Sequence, residues 1–253
     1  MIYLVHGYNH DPAIEAHDPG RAGGHFEEWE QMLQSRESVR FPWHSGVKGR
    51  WRDILCAWRG GYGTTYGWAY GQLAMAAARR LARAAVAEGR LVDVLCHSLG
   101  ARVALQAVAL VPAAFRRVLI LNGAETVDEA SRVFRLAPRV RFLNLGAGAD
   151  DVVRIAGGIF APPLGYDRCL ANGIGGTTAG NVLDLMLDAP ATRRFYQRWR
   201  GWDLRGDNPR TIGDHSYSFR WPGNWPLIRA FLDGEEIETE KAGLGPAFSL
   251  SAR

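Results

Sequence analysis

The tightest constraint on how this chain folds is an apolar run from Leu91 to Leu95, the turn Cys96-His97-Ser98-Leu99-Gly100, and a second apolar run from Ala101 to Leu110. The first run suits a buried strand and the second a helix. A serine at such a junction sits on a sharp strand-to-helix turn that projects its hydroxyl at the carboxyl edge of a parallel sheet. The usual pattern is Gly-x-Ser-x-Gly, with small outer residues so that helix and strand can approach closely. Here Cys96 replaces the first glycine and Gly100 keeps the second. A serine at the start of a helix also serves as a cap, so a chemical reading of Ser98 needs partners elsewhere in the chain.

A serine hydroxyl is a weak nucleophile until a base takes its proton. Of the seven histidines, His6, His10, His17, His25 and His44 precede the turn, and His97 is next to Ser98, where the turn is expected to point it elsewhere. His215, within Gly213-Asp214-His215-Ser216-Tyr217, is the one that follows. Residues 139–145 read as a strand ending in a Gly-rich loop with Asp150 and Asp151, and the carboxyl end of a parallel strand is where such a sheet places chemistry. Near the amino terminus, Ile2 to Val5 forms a short apolar strand followed at once by His6-Gly7-Tyr8-Asn9. A loop there, with Gly7 allowing the turn, offers the backbone N–H of Tyr8. Together with the N–H of Leu99, the residue after the serine, it would make an oxyanion hole.

Val5-His6-Gly7-Tyr8-Asn9, Phe41-Pro42-Trp43 and His97-Ser98-Leu99-Gly100 together resemble an α/β-hydrolase, within a bacterial group that opens on Val-His-Gly-Tyr-Asn and carries a His-Ser-x-Gly turn. The resemblance covers residues 1–150, with His215 as an anchor beyond. It implies a mostly parallel central sheet with helices on both faces and an insertion between the acid and histidine loops. It also implies a triad in the order Ser98, acid, His215. The Gly-rich turn followed by Asp-x-Val-Val is similar to the acid loop of many esterases, which favours Asp150 and leaves Asp151 in reserve. The implied activity is cleavage of a small-molecule or lipid carboxylic ester through an acyl-enzyme, without cofactor or metal. Acyltransferases and peptidases share these residues, and the same fold also serves as a non-catalytic binding module.

Composition narrows the alternatives. The length of 253 residues and 47% apolar content suit one domain spanning 1–253. Met1 leads straight into a strand, and the expectation is a soluble cytoplasmic protein with no secretory signal and no membrane-spanning run. Three widely spaced cysteines argue against a disulfide framework. The net charge of +4 comes from scattered arginines, which argues against a nucleic-acid footprint. The run from Arg193 to Arg200 interleaves arginine with aromatics, and it reads as a helix with Phe195 and Trp199 on a core face. His6, His10, Asp11, His17 and Asp18 offer metal-ligand chemistry but no standard spacing. His6 is instead expected to anchor backbone beneath the oxyanion loop.

Elsewhere the pattern predicts helices over 25–36, 50–59, 66–88 and 127–136, and strands over 39–43 and 117–122. The apolar stripe of 50–59 is Trp51, Ile54, Leu55 and Trp58. Residues 154–205, rich in Gly and Pro turns around a helix expected near 179–187, are expected to cap the active site. Gly175-Gly176-Thr177-Thr178 and Gly61-Tyr62-Gly63-Thr64-Thr65 lack the Gly-Lys-Ser/Thr ending of a phosphate loop and read as turns. The tail after Asp233 is expected to be loosely ordered.

Overall fold

The computed structural model describes residues 1–22, 24–34, 36–47, 50–61, 64–148, 169–175, 180–206 and 215–238. Asp150, Asp151, Asp214, residues 154–168 of the expected cap, parts of both Gly-rich turns and the tail from 239 lie outside the described residues.

Six strands, β1 (Ile2–Val5), β2 (Ser38–Phe41), β3 (Val92–His97), β4 (Phe115–Leu121), β5 (Arg141–Gly146) and β6 (Val182–Met186), form one sheet in the order β2-β1-β3-β4-β5-β6. Every pairing is parallel. The described helices are α1 (His25–Leu33), α2 (Trp51–Arg59), α3 (Thr65–Trp68), α4 (Ala74–Ala87), α5 (Gly100–Leu110), α6 (Val127–Leu136), α7 (Pro190–Arg200), α8 (Tyr217–Arg220) and α9 (Trp225–Asp233).

Because side chains alternate along a strand, the sheet faces two separate cores. Tyr3, Val5, Val94, Cys96, Val118, Ile120 and Phe142 pack with α4, α5 and α6. Ile2, Leu4, Leu95, Leu119, Leu143, Leu145 and Leu185 pack with Phe26, Trp29 and Leu33 of α1, Tyr196 of α7, and Trp225, Ile228 and Phe231 of α9. Helices thus cover both faces, which explains why the central strands carry apolar residues on both sides rather than in strict alternation with polar ones.

Several expectations need correction. Residues 182–186 are a strand, not part of a helix, and pair with β5 from Phe142↔Val182 to Gly146↔Met186. So short an apolar run fits either period, and the open edge of β5 decides it. Of the segment 154–205 expected to cap the site, the described residues Leu170, Ala171, Leu185, Leu187 and Leu204 are buried in the main layer, while 154–168 and 176–179 lie outside the described residues. In α2 two residues of the expected apolar stripe face outward, Trp51 73% and Ile54 40% exposed, while Asp53 is buried. The Asp53 carboxylate accepts the Val47 N–H at 2.8 Å and faces His44 at 3.5 Å, and these polar contacts set the rotation of the helix. In α7 the fully buried anchor is Tyr196, whereas Phe195 and Trp199 stack on each other, partly buried. The helix expected over 66–88 is interrupted by a π-turn at Ala69–Leu73. The Tyr70 carbonyl within it accepts Arg102 Nε at 2.7 Å.

The sequence order of strands reverses beside β1, which has β2 on one side and β3 on the other. The loops after β1 and β3 then leave in opposite directions at the carboxyl edge, the usual ligand position in such sheets. Gly100 lets the two loops approach closely. A Cβ there would lie 2.5 Å from the Val5 carbonyl oxygen and 2.7 Å from that of His6, both backbone atoms with no freedom to yield.

Gly100→Ala is therefore expected to cost about 2 kcal/mol or more and to lower Tm by roughly 4–8 °C. Gly180→Ala, where nothing lies within 4 Å of the added methyl, is the control expected to leave the melt unchanged. Parallel thermal melts check both.

Candidate active site

Ser98 occupies the turn between β3 and α5 with φ +55°, a left-handed conformation costly for a residue with a Cβ. Its backbone is clamped from both sides. Its N–H donates to Leu121 O at 3.0 Å, and its carbonyl accepts Ala101 N–H at 3.0 Å and Ala124 N–H at 2.9 Å. Asn9 and Asn122, with φ of 71° and 46°, follow β1 and β4. Three of the four described non-glycine residues with positive φ thus lie just beyond the carboxyl ends of adjacent strands. Strain of this kind clusters at functional sites, which makes this edge the candidate one.

Gly7 lies directly against the serine. A Cβ at Gly7 would be 2.7 Å from Ser98 Cβ and 3.2 Å from Ser98 Oγ, so only glycine fits. The loop is held by His6, which is buried and stacked on Trp43 at 5.5 Å. The Trp43 N–H donates to His6 Nε2 at 3.1 Å, so Nε2 is bare and Nδ1 carries the proton, which it donates to Gly7 O at 2.8 Å. The Trp43 indole N–H in turn donates to His6 O at 3.0 Å. In a trans peptide the C=O and N–H point in opposite directions. Anchoring Gly7 O therefore also fixes the direction of the Tyr8 N–H. The expectation for His6 thus holds, and Trp43 supplies the partner for it. Further along the loop, Ser45 Oγ accepts His10 N–H at 2.9 Å, and Arg50 pairs with Asp11.

Leu99, fully buried, is the residue just before α5 begins, where helix N–H groups have no intrahelical partner. His215 stands at the approach to α8. Its carbonyl accepts His97 Nε2 at 3.0 Å, and the two rings lie 4.5 Å apart. The structure thus brings His215 to the residue next to Ser98. It also shows His97 facing His215 rather than pointing away from the site.

His97 belongs to a run of rings that the sequence reading treated separately. His6 and His10 are 4.7 Å apart, His10 and His25 5.4 Å, and His25 and His97 6.1 Å, with Trp29 and Phe219 packed alongside. Burial, with mutual repulsion adding to it, holds His6 and His97 well below the ordinary imidazole range and brings His10 and His25 down to about 4. Among the described residues, no group of three or more His, Cys, Asp or Glu side chains is arranged to hold a metal ion.

Two carboxylates near this edge are already engaged. Glu125, fully buried, accepts Arg102 at 2.8 Å, the Tyr70 hydroxyl at 2.7 Å and the Thr126 N–H at 2.8 Å. Asp184 accepts Asn144 Nδ2 and the Ile174 N–H, each at 2.7 Å. The Glu125–Arg102–Tyr70 cluster was missed in the sequence, where its members are scattered over separate elements. Cys96 is fully buried, as close packing at the turn requires, and burial pushes its thiol pKa up.

No protein-family model matches the chain, and no curated protein matches it.

Trp43→Phe keeps the stack on His6 but strands the His6 carbonyl, and is expected to lower stability by about 1–3 kcal/mol, read by urea unfolding. A second prediction concerns pH. A histidine kept neutral by burial gains its proton only on unfolding, so between the ordinary 6.5 and about 4 the unfolded chain binds more protons. Stability is full above this window and falls as the pH drops through it. His25→Phe is expected to make the fall shallower, as measured by urea midpoints across the range.

Proposed function

We propose that the chain is a serine hydrolase of the α/β-hydrolase fold that cleaves carboxylic esters through an acyl-enzyme. The observation that carries this reading is Ser98 on its left-handed turn, packed against Gly7 and flanked by the His97–His215 contact. The sheet order supports it as well, because the serine follows the strand beside the reversal, with the glycine loop on the neighbouring strand.

In the proposed reaction Ser98 Oγ attacks the ester carbonyl while His215 takes its proton. The carbonyl oxygen gains negative charge and is met by the N–H groups of Tyr8 and Leu99. These are rigid before substrate arrives, since His6 and Trp43 hold one loop and the start of α5 holds the other. Such preorganised donors need no rearrangement as charge develops. His215 then protonates the departing alcohol, and in the second half activates water to release the acid. Asp150, with Asp151 as the alternative, would hold the imidazole tautomer from the loop after β5.

Ser98→Ala is expected to abolish both labelling by a fluorophosphonate probe and hydrolysis of p-nitrophenyl esters while leaving the thermal melt intact. His215→Asn and the correct one of Asp150→Asn or Asp151→Asn should each lower kcat by roughly 10³- to 10⁴-fold. Failure of the parent protein to react with probe and esters would leave a binding module as the remaining use of the fold.

A further inference from the structure

We infer that His97 is a positioning residue, holding the loop that carries His215 against the serine turn through the hydrogen bond from His97 Nε2 to the His215 main-chain carbonyl. This rests on the proposed role of His215 as base. The geometry itself stands on its own.

The acceptor is a carbonyl, so Nε2 must carry the proton and Nδ1 must be bare. His97 is only 3% exposed. The elements packed round it contribute His25 and Trp29 from α1, Phe219 from α8 and the His215 ring. His25, His10 and His215 are the titratable groups that face it. In that surrounding a positive charge on His97 is strongly disfavoured, first by burial and then by the neighbouring histidines, so its ring stays neutral. A fixed tautomer in a closed aromatic box makes a stiff donor.

Position in the fold explains why this residue serves. His97 ends β3 with its side chain on the same face as Leu95, toward α1 and α9, whereas Ser98 begins the turn and faces Gly7 over the sheet edge. One residue thus reaches the base loop from beneath while the next reaches the reaction space from above. His215 arrives from a distant part of the chain, 118 positions away from His97, and the helix that follows it, α8, is only four residues long. Among the described residues the bare Nδ1 of His97 has no hydrogen-bond partner. A methionine of similar bulk would strand no such acceptor, so the imidazole here is poorly explained by packing alone.

Three substitutions separate donor from shape. His97→Gln places an amide N–H at about the reach of Nε2, His97→Asn falls short, and His97→Met fills the space without a donor. Two measurements are made on each: the rate of fluorophosphonate labelling at Ser98, and hydrogen–deuterium exchange of the α8 amides of Phe219, Arg220 and Trp221, whose bonds to Ser216 and Tyr217 depend on the loop. The expected result is labelling slowed roughly 10- to 100-fold in the Met and Asn variants, with faster α8 exchange, and both restored by Gln. The inference is overturned if Gln behaves like Met, or if Met and Asn change neither measurement. Should Met fail to fold, the Asn and Gln pair decides. An unlabelled parent would sink the hydrolase reading, while the exchange measurement would still test the tether.

Discussion

The structure depends on the close approach of two backbone segments, the loop leaving β1 and the turn leaving β3. Gly7 touches the Ser98 side chain, and Gly100 lies against the carbonyls of Val5 and His6. Neither contact tolerates a Cβ. Through this double contact the left-handed serine, the start of α5 and the glycine loop become one rigid unit, and rigidity is what the proposed stabilisation of a transient charge would require.

Two buried polar assemblies brace that unit. On one side Trp43 binds His6 twice, once through the backbone and once through the indole, so β2 and its trailing loop determine how the first loop lies. On the other side Arg102, from the first turn of α5, is held between Glu125 and the Tyr70 carbonyl and lies 3.8 Å over the Tyr70 ring. A buried ion pair adds little net stability against an apolar replacement, yet losing one partner is costly. Its effect here is to fix the spacing between the π-turn, α5 and the segment after β4.

The strand–turn–helix around Ser98 was legible in the sequence because local chemistry determines it. Apolar runs of different length flank small residues, and the left-handed turn needs nothing from afar except room. That Gly7 and His6 shape the loop after β1 was also legible, but not the contacts that use them, Gly7 against Ser98 and His6 against Trp43, which come from distant parts of the chain. The strand at 182–186 and the outward face of α2 were not legible. In the first case the run is too short for its period to speak. In the second, Asp53 is drawn inward by Val47 and His44, and hydrophobic spacing carries no sign of that pull. Likewise the aromatic spacing in α7 indicated Phe195 and Trp199, which do pack against the core partly buried, but not the fully buried Tyr196, whose hydroxyl donates to the Glu238 carbonyl at 3.0 Å.

By itself the sequence determined the class of architecture, alternating strands and helices with a serine at one sharp turn, since periodicity and small-residue placement are properties of neighbouring positions. Only the tertiary structure decided which side chains meet. The pairing of His97 with the His215 carbonyl, the double grip of Trp43 on His6 and the run of neutral histidines all join residues far apart in the chain, and nothing local encodes such contacts. They exist because parallel strands send every loop that follows a strand to the same edge, where packing rather than spacing chooses the partners.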